Sequence, residues 1–367
     1  MLYNWQQKDW PNFTYTLLGI EDFLFHFAER TGHVSGLLKT LSEETQLETV
    51  INLMVAEAVK TSEIEGEFIS RKDVLSSIKK NLGLVKTPVA VKDKRAAGVS
   101  KLMIDIRNTF KEPLTDKKIF EWHRMLLESN NEIVVGGWRK HKEPMQVISG
   151  AIGKQKVHFE APPSAKVPGE MKQFIRWFND TAPSEKKEIK KAPLRAAITH
   201  LYFESIHPFE DGNGRIGRAV AEKALSQSIG RPVMLSLSKT IERDKKSYYN
   251  ALQRASLSNE ITNWVNYFVK IVVDAQVQAE EEIEFTLRKA KFFDQFKDLL
   301  NERQFIVIKR MLEEGVQGFE GGMNARKYVS LTKTSKATAT RDLQFLLEKK
   351  ILVVSGGGRS TGYQVNI

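Results

Sequence analysis

The sequence predicts a mainly α protein with one β-hairpin inside a helical body and a helix-rich module at its C-terminus. Three observations carry that expectation. Apolar residues recur at helical spacing along most of the chain, only two places hold paired short extended runs, and basic, glycine-punctuated sequence marks the end. The division expected is a helical region over 1–95, a central core over 96–290 and a separate module over 291–367.

Composition narrows the classes. With 367 residues, 41% of them hydrophobic, the chain can fill two or three cores. The absence of cysteine excludes disulfides, thiolate zinc sites and cysteine nucleophiles, and fits a reducing compartment. No apolar run reaches the roughly 18 residues of a membrane span. The start Met1-Leu2-Tyr3-Asn4-Trp5-Gln6-Gln7-Lys8 lacks a basic n-region and an apolar h-region, so a cytoplasmic location away from membranes is expected. The net charge of +11 tolerates polyanions, and its placement matters more: Lys and Arg outnumber Asp and Glu from Gly321 to Ile367.

In chain order, Trp5, Trp10, Phe13 and Tyr15 read as an aromatic cap packed on the body. Ser42 with the acidic residues after it starts a helix whose apolar stripe is Leu47, Val50, Ile51, Met54, Val55 and Ala58, with Gly66 as the residue that ends it. A connection at 86–98, containing Pro88, leads to helices near 97–110 and 115–128. Runs at 145–148 and 156–160, joined by the turn Ser149-Gly150-Ala151-Ile152-Gly153, make a hairpin too small to stand alone, which must pack over something. The charge run at 186–191 is a solvated loop.

A helix beginning at Pro193, with Leu194, Ile198 and Leu201 on one face, runs to His207, where Pro208 stops it. A second helix, marked by Ile216, Val220, Ala224, Leu225 and Ile229, ends at Gly230 and Pro232. Between them lies His207-Pro208-Phe209-Glu210-Asp211-Gly212-Asn213-Gly214-Arg215-Ile216-Gly217-Arg218. Its glycines let a ligand approach the backbone, and it opens into a helix N-terminus with free amide donors, which makes an anion site. Arg215 and Arg218, one turn apart, can face one phosphate chain; Asp211 offers a hard oxygen for a magnesium ion; His207 can take a proton near neutral pH; and Phe209 is a core anchor.

The nine fixed positions of H-P-F-x-D-G-N-G-R-x-x-R resemble the signature of the Fic family, and Asn4-Trp5-Gln6-Gln7-Lys8-Asp9-Trp10-Pro11 resembles the N-terminal extension of longer bacterial members. The resemblance implies a Fic helical core and transfer of AMP from ATP to a Tyr, Ser or Thr hydroxyl of a protein target, with Mg²⁺ as cofactor. It gives His207 the role of base, Asp211 the metal, Gly212, Asn213 and Gly214 the α- and β-phosphates, and Arg215 and Arg218 the terminal phosphates. Tyr248 and Tyr249 would stand near the adenine, although core packing accounts for them equally well. Thr61-Ser62-Glu63-Ile64-Glu65-Gly66 resembles the inhibitory motif [S/T]-x-x-x-E-[G/N] of the branch with an N-terminal inhibitory helix, which implies Thr61, Glu65 and Gly66 as inhibitory residues and a Glu65–Arg218 pair. The strand Val157, His158, Phe159 and Glu160 would be the flap that docks the target by strand addition. Relatives imply a homodimer.

Three other readings stay open. The same site could remove AMP, with Glu65 orienting a water. A kinase-type branch resembles A-N-K where this chain has Gly212-Asn213-Gly214. The chain could also be a DNA-binding regulator that uses nucleotide as a signal. For the last, helices at 304–314, 325–329 and 336–349, strands at 351–354 and 363–365 and a basic turn at Gly356-Gly357-Gly358-Arg359 describe a winged helix. Ser335, Lys336, Thr338, Thr340 and Arg341 would face DNA as a candidate partner, while Leu343, Phe345, Leu346 and Leu347 pack.

Overall fold

A computed structural model describes residues 2–85, 92–128, 130, 132–149, 156–356 and 362–367. The predicted hairpin turn at 150–153, Pro88, and Gly357, Gly358 and Arg359 of the predicted basic turn lie outside the described residues. In chain order come α1 (Glu21–Lys39), α2 (Glu43–Ile64), α3 (Arg71–Asn81), α4 (Lys94–Thr109) and α5 (Asp116–Leu127). A two-stranded hairpin follows, β1 (Gln146–Ser149) and β2 (Lys156–Glu160), then α6 (Val167–Asp180), α7 (Ala192–Ile206), α8 (Asn213–Ile229), α9 (Leu237–Arg243), α10 (Lys245–Ala255) and α11 (Thr262–Phe296). The chain closes with α12 (Glu302–Leu312), α13 (Ala325–Thr332), α14 (Lys336–Glu348), β3 (Leu352–Ser355) and β4 (Gly362–Val365). It is mainly α, as the apolar spacing predicts.

Contacts divide it into two compact units, 1–33 with 47–279, and 34–46 with 280–367. Most of the helical region expected over 1–95 falls in the same unit as the central core. In the first unit α7 is the axis. All fifteen of its residues are buried, as suits a helix without a polar face. Around it lie α8, whose Ile216, Val220, Ala224 and Leu225 are fully buried, and α6, for which no expectation stood although Val167, Met171, Phe174 and Phe178 mark its inner face at helical spacing. Trp10 and Phe13 set their rings edge-on to Tyr202 of α7 at 5.2 and 5.5 Å, which is the aromatic cap. The segment around it is pinned by Asn4, whose amide donates to Ser205 Oγ at 2.7 Å.

Ser42 starts α2 as expected, its hydroxyl accepting from the Thr45 amide. Leu47, assigned to the apolar stripe, is instead 38% exposed, because the buried part of α2 begins only at Thr49 and Ile51. At its far end Gly66 adopts φ +82°, and the Glu67 amide returns to the Ser62 carbonyl at 2.9 Å, a closure that needs the left-handed residue. The hairpin is antiparallel with an irregularity between Val147 and Ile148. It is anchored from outside, since Trp5 donates from Nε1 to the Glu160 carbonyl at 2.7 Å.

The second unit packs α12, α13 and α14 around Val307, Ile308, Met311, Tyr328, Leu343 and Leu346, with Phe345 and Leu347 partly buried against that core. Strands β3 and β4 pair antiparallel, Leu352 opposite Val365. Lys336, Thr340 and Arg341 face solvent on α14. Among the described residues no helix is long and apolar enough to cross a membrane.

Candidate active site

His207 stands where α7 stops. Proline at 208 excludes helical geometry for the residue before it, and His207 takes φ +50°, ψ +62° as the C-cap. That left-handed backbone is held by a residue the sequence reading passed over. Arg139, 2% exposed, donates from Nε to the His207 carbonyl at 2.8 Å and from one terminal nitrogen to the Pro162 carbonyl at 2.5 Å, while Ser164 Oγ accepts from the other at 2.9 Å. The main chain adds an Arg139 amide bond to the Pro208 carbonyl at 3.0 Å. One guanidinium thus satisfies a helix-end carbonyl and ties it to the chain leaving β2. Burial pulls this arginine down to about 10.

The His207 Nδ1 lies 3.5 Å from Glu204 Oε2, one turn back on α7 and 7% exposed at its side chain. Burial works to raise the Glu204 carboxyl, but the hydrogen bond from His207 and the charges of His200, His207 and Arg218 outweigh it and hold it below the usual carboxylate range.

Beyond Pro208 the loop folds on itself. Phe209 is fully buried and stacks on His123 of α5 at 3.9 Å and 12°, as expected for a core anchor. The Asn213 side chain is turned inward rather than toward a ligand: its amide donates to the Phe209 carbonyl at 2.8 Å and its carbonyl accepts from the Phe209 amide at 2.9 Å. Asn213 therefore shapes the loop and meets the cavity as the first residue of α8, whose N-cap is Gly212 at φ +81°. His123 holds that turn from below. Its Nδ1 accepts from the Gly136 amide at 2.8 Å and its Nε2 is 3.1 Å from the Asp211 carbonyl. The Asp211 carboxylate, 49% exposed, reaches the cavity, with Oδ1 accepting from the Gly212 amide.

The inhibitory-motif residues meet this loop. Glu65 Oε1 is 2.8 Å from a terminal nitrogen of Arg218, Thr61 Oγ1 accepts from Arg218 Nε at 2.8 Å, and the Thr61 carbonyl accepts at 2.9 Å. Burial opposes the charge on Arg218, but Glu65 and the groups around it hold its pKa above the ordinary arginine value. A Cβ at position 214 would collide with the Glu65 carboxylate, so only glycine admits the approach. Arg215 does not share this partner. It is paired with Glu67 at 2.7 Å and lies 3.5 Å from Asp211. Glu67, like Glu204, His123 and Arg139, carries no signal in the motif that would have singled it out.

Beside these groups lies a cavity of about 420 Å³, within the range of small-ligand sites. Its walls include Glu65, His207, Asp211 to Gly214, His158 and Phe159 of β2, and Tyr248 and Tyr249. Tyr248 is buried and shares a 2.7 Å hydrogen bond with His200; Tyr249 is 37% exposed and donates to the Ile64 carbonyl at 3.4 Å. Of the expected flap residues, Phe159 is buried with its ring 6.4 Å from that of His207, Val157 is 42% exposed, and His158 bonds Ser149. Glu160 accepts from the Gln146 amide at 2.8 Å.

Fold and site together define a helical protein in which an imidazole at one helix end faces the N-terminus of the next helix across a closed loop. Residues 113–225 match the Fic/DOC family model, and residues 3–84 match a second family model, described as a domain of unknown function (DUF4172). A probable protein adenylyltransferase of Aquifex aeolicus is 28% identical over 158 residues, 38% of this chain and 43% of that protein. A protein adenylyltransferase Fic of Nematostella vectensis is 29% identical over 145 residues, 40% and 29% of the two chains. The matched part is thus less than half the length of these relatives. Among solved structures, a Fic family protein from Desulfovibrio desulfuricans superposes with a TM-score of 0.56 at 18% identity, covering 97% of this chain and 98% of that one. A Fic domain containing signaling protein from Bacteroides thetaiotaomicron gives 0.55 at 21%, covering 72% and 97%.

Proposed function

We propose that the chain is a protein adenylyltransferase, moving AMP from ATP to a Tyr, Ser or Thr hydroxyl of a protein and restrained by Glu65. The observation that carries this reading is the placement of His207, the Asp211 to Gly214 turn and the start of α8 on one cavity large enough for a nucleotide. An ionised Glu204 beside Nδ1 favours a proton there and leaves Nε2 as the acceptor. His207 takes the proton of the incoming hydroxyl, the oxygen bonds the α-phosphorus, the bond from that phosphorus to the α–β bridging oxygen breaks, and diphosphate leaves. The amides opening α8 cradle the phosphates, with Arg215 and Arg218 on the terminal ones. Tyr248 and Tyr249 wall the side assigned to the base.

Magnesium fits the donor set, since Asp211 presents one hard carboxylate to the cavity beside the phosphate cradle, the arrangement that ion favours. Bound there by Asp211, it would neutralise phosphate charge. The Glu65–Arg218 pair supports inhibition: a carboxylate occupies the guanidinium that a terminal phosphate needs. Purified protein with Mg²⁺ and α-labelled ATP should label itself or a target, Glu65→Gly should raise the signal, and His207→Ala should remove it. Unchanged labelling in Glu65→Gly defeats the inhibitory reading, and labelling that survives His207→Ala defeats the catalytic one.

Two alternatives have an observation behind them. Glu65 reaches the cavity and could orient a water to remove AMP, which incubation of a modified target without ATP would reveal. The second unit has the order of a winged helix with Lys336, Thr340 and Arg341 exposed, which supports DNA as its partner. A mobility shift with steep salt dependence, kept in His207→Ala, would support it.

A further inference from the structure

We propose that Glu67 is a second phosphate-mimicking carboxylate, occupying Arg215 as Glu65 occupies Arg218, so that residues 3–84 mask both arginines of the anion site at once. The inference rests on the nucleotide-binding reading above and concerns how that site is regulated.

The two pairs are separate. Glu65 reaches Arg218 at 2.8 Å and Glu67 reaches Arg215 at 2.7 Å, with the two arginine side chains 1% and 3% exposed and the two carboxylates 28% and 25% exposed. An uncompensated buried charge is costly, and at both arginines the compensation is an acidic side chain. Here each arginine takes a close anion from the residues just past α2, Arg215 having Asp211 at 3.5 Å besides, and Glu65 and Glu67 are both more exposed than their partners. They are thus placed where an incoming polyanion would replace them. Each arginine also keeps a buried nitrogen without a hydrogen-bond partner among the described residues, Nε of Arg215 and a terminal nitrogen of Arg218. The carboxylates leave donors unused that a phosphate with three oxygens could take up.

The local backbone explains why both acids arrive together. Gly66 in the left-handed region turns the chain between them, and the Glu67 amide is fixed to the Ser62 carbonyl at 2.9 Å. Glu65, the first residue past α2, reaches Arg218, and Glu67, beyond the Gly66 turn, meets Arg215 one helical turn earlier on α8. Spacing on the two elements matches, arginines at i and i+3 against acids at j and j+2. Glu67 lies outside the inhibitory motif, which ends at Gly66.

A bare anchoring contact would make a different prediction. If Glu67 served only to hold Glu65 in place, its loss would not matter once Glu65 is gone. Calorimetric titration of ATP, diphosphate and AMP into Glu65→Gly, Glu67→Gln and the double variant separates the two. The expected result is that the double variant binds ATP and diphosphate about tenfold more tightly than Glu65→Gly, the worth of one charge-assisted contact, while AMP binding is unchanged. Equal affinity of the double variant and Glu65→Gly overturns the second lock but leaves the nucleotide site standing, as does a gain shared equally by AMP. ATP bound by no variant overturns both readings. Glu67→Gln keeps the side-chain shape, and although each variant should unfold below the parent because a buried guanidinium loses its anion, unfolding midpoints above the titration temperature confirm that binding is read on folded protein.

Discussion

Arg139 donates to the carbonyl of His207 at 2.8 Å from a side chain that is 2% exposed. The contact puts the conformation of the proposed base under control of a residue 68 positions away in sequence. Replacing Arg139 by Met should leave the His207, Pro162 and Ile206 carbonyls short of a donor and cost about 2–4 kcal/mol, with labelling reduced beyond the loss of folded protein. Thermal unfolding alongside labelling per folded molecule checks this. A variant of normal stability and activity would mean the helix end holds itself.

Glu204 is expected to act through His207 alone. Glu204→Gln keeps its volume but removes the charge facing Nδ1, and should lower kcat by about tenfold or more with little change in ATP affinity. Steady-state kinetics in the Glu65→Gly background, with calorimetry for affinity, give both numbers. A rise in KM at constant kcat would assign Glu204 to ligand binding instead.

The position of a proton on His123 follows from its neighbours. The Gly136 amide can only donate, so Nδ1 accepts and the proton sits on Nε2, facing the Asp211 carbonyl. Nitrogen NMR of the imidazole should show that tautomer. His123→Phe keeps the ring on Phe209 but drops both bonds that hold the turn carrying Asp211, so on the proposed reading of Asp211 as the metal residue the Mg²⁺ concentration for half-maximal labelling should rise about tenfold. An unchanged metal requirement would reduce His123 to packing.

Stability should depend on pH through Glu222 of α8. Burial raises its carboxyl to about 8, and the charge of Glu57 adds to the rise while Arg107 opposes it. Glu57 is itself held by Ser236 Oγ at 2.7 Å and the Ser238 amide at 2.9 Å. The folded state therefore holds a proton that the unfolded chain releases near 4.5, so this contribution is complete below about 4.5 and lost as the pH climbs to 8. Glu222→Gln should flatten the fall in unfolding midpoint between pH 5 and pH 8 and stabilise the protein at the upper end. Parallel slopes for the two proteins would refute it.

The motif residues were legible because loop and helix-cap chemistry is local. Pro208 stops α7, Gly212 and Gly66 supply left-handed turns, and the spacing of Arg215 and Arg218 is a property of any helix. The apolar periods gave most helices, while Leu47 shows where a stripe read from one strand of sequence misjudges which side of a helix meets the core.

The sequence by itself determined the class of fold and the row of groups from His207 to Arg218, since each depends on neighbours a turn or less away. Only the tertiary structure decided that Arg139 caps α7, that Glu204 and His123 stand behind His207 and Asp211, that the Asn213 amide is spent on its own loop, and that Arg215 answers to Glu67. Arg139, His123 and Glu67 reach partners far away in the chain, and even Glu204 and Asn213, whose partners are three and four residues off, are fixed there by the packing around them. These pairings are set by how buried charges find partners when helices pack, which no local spacing encodes.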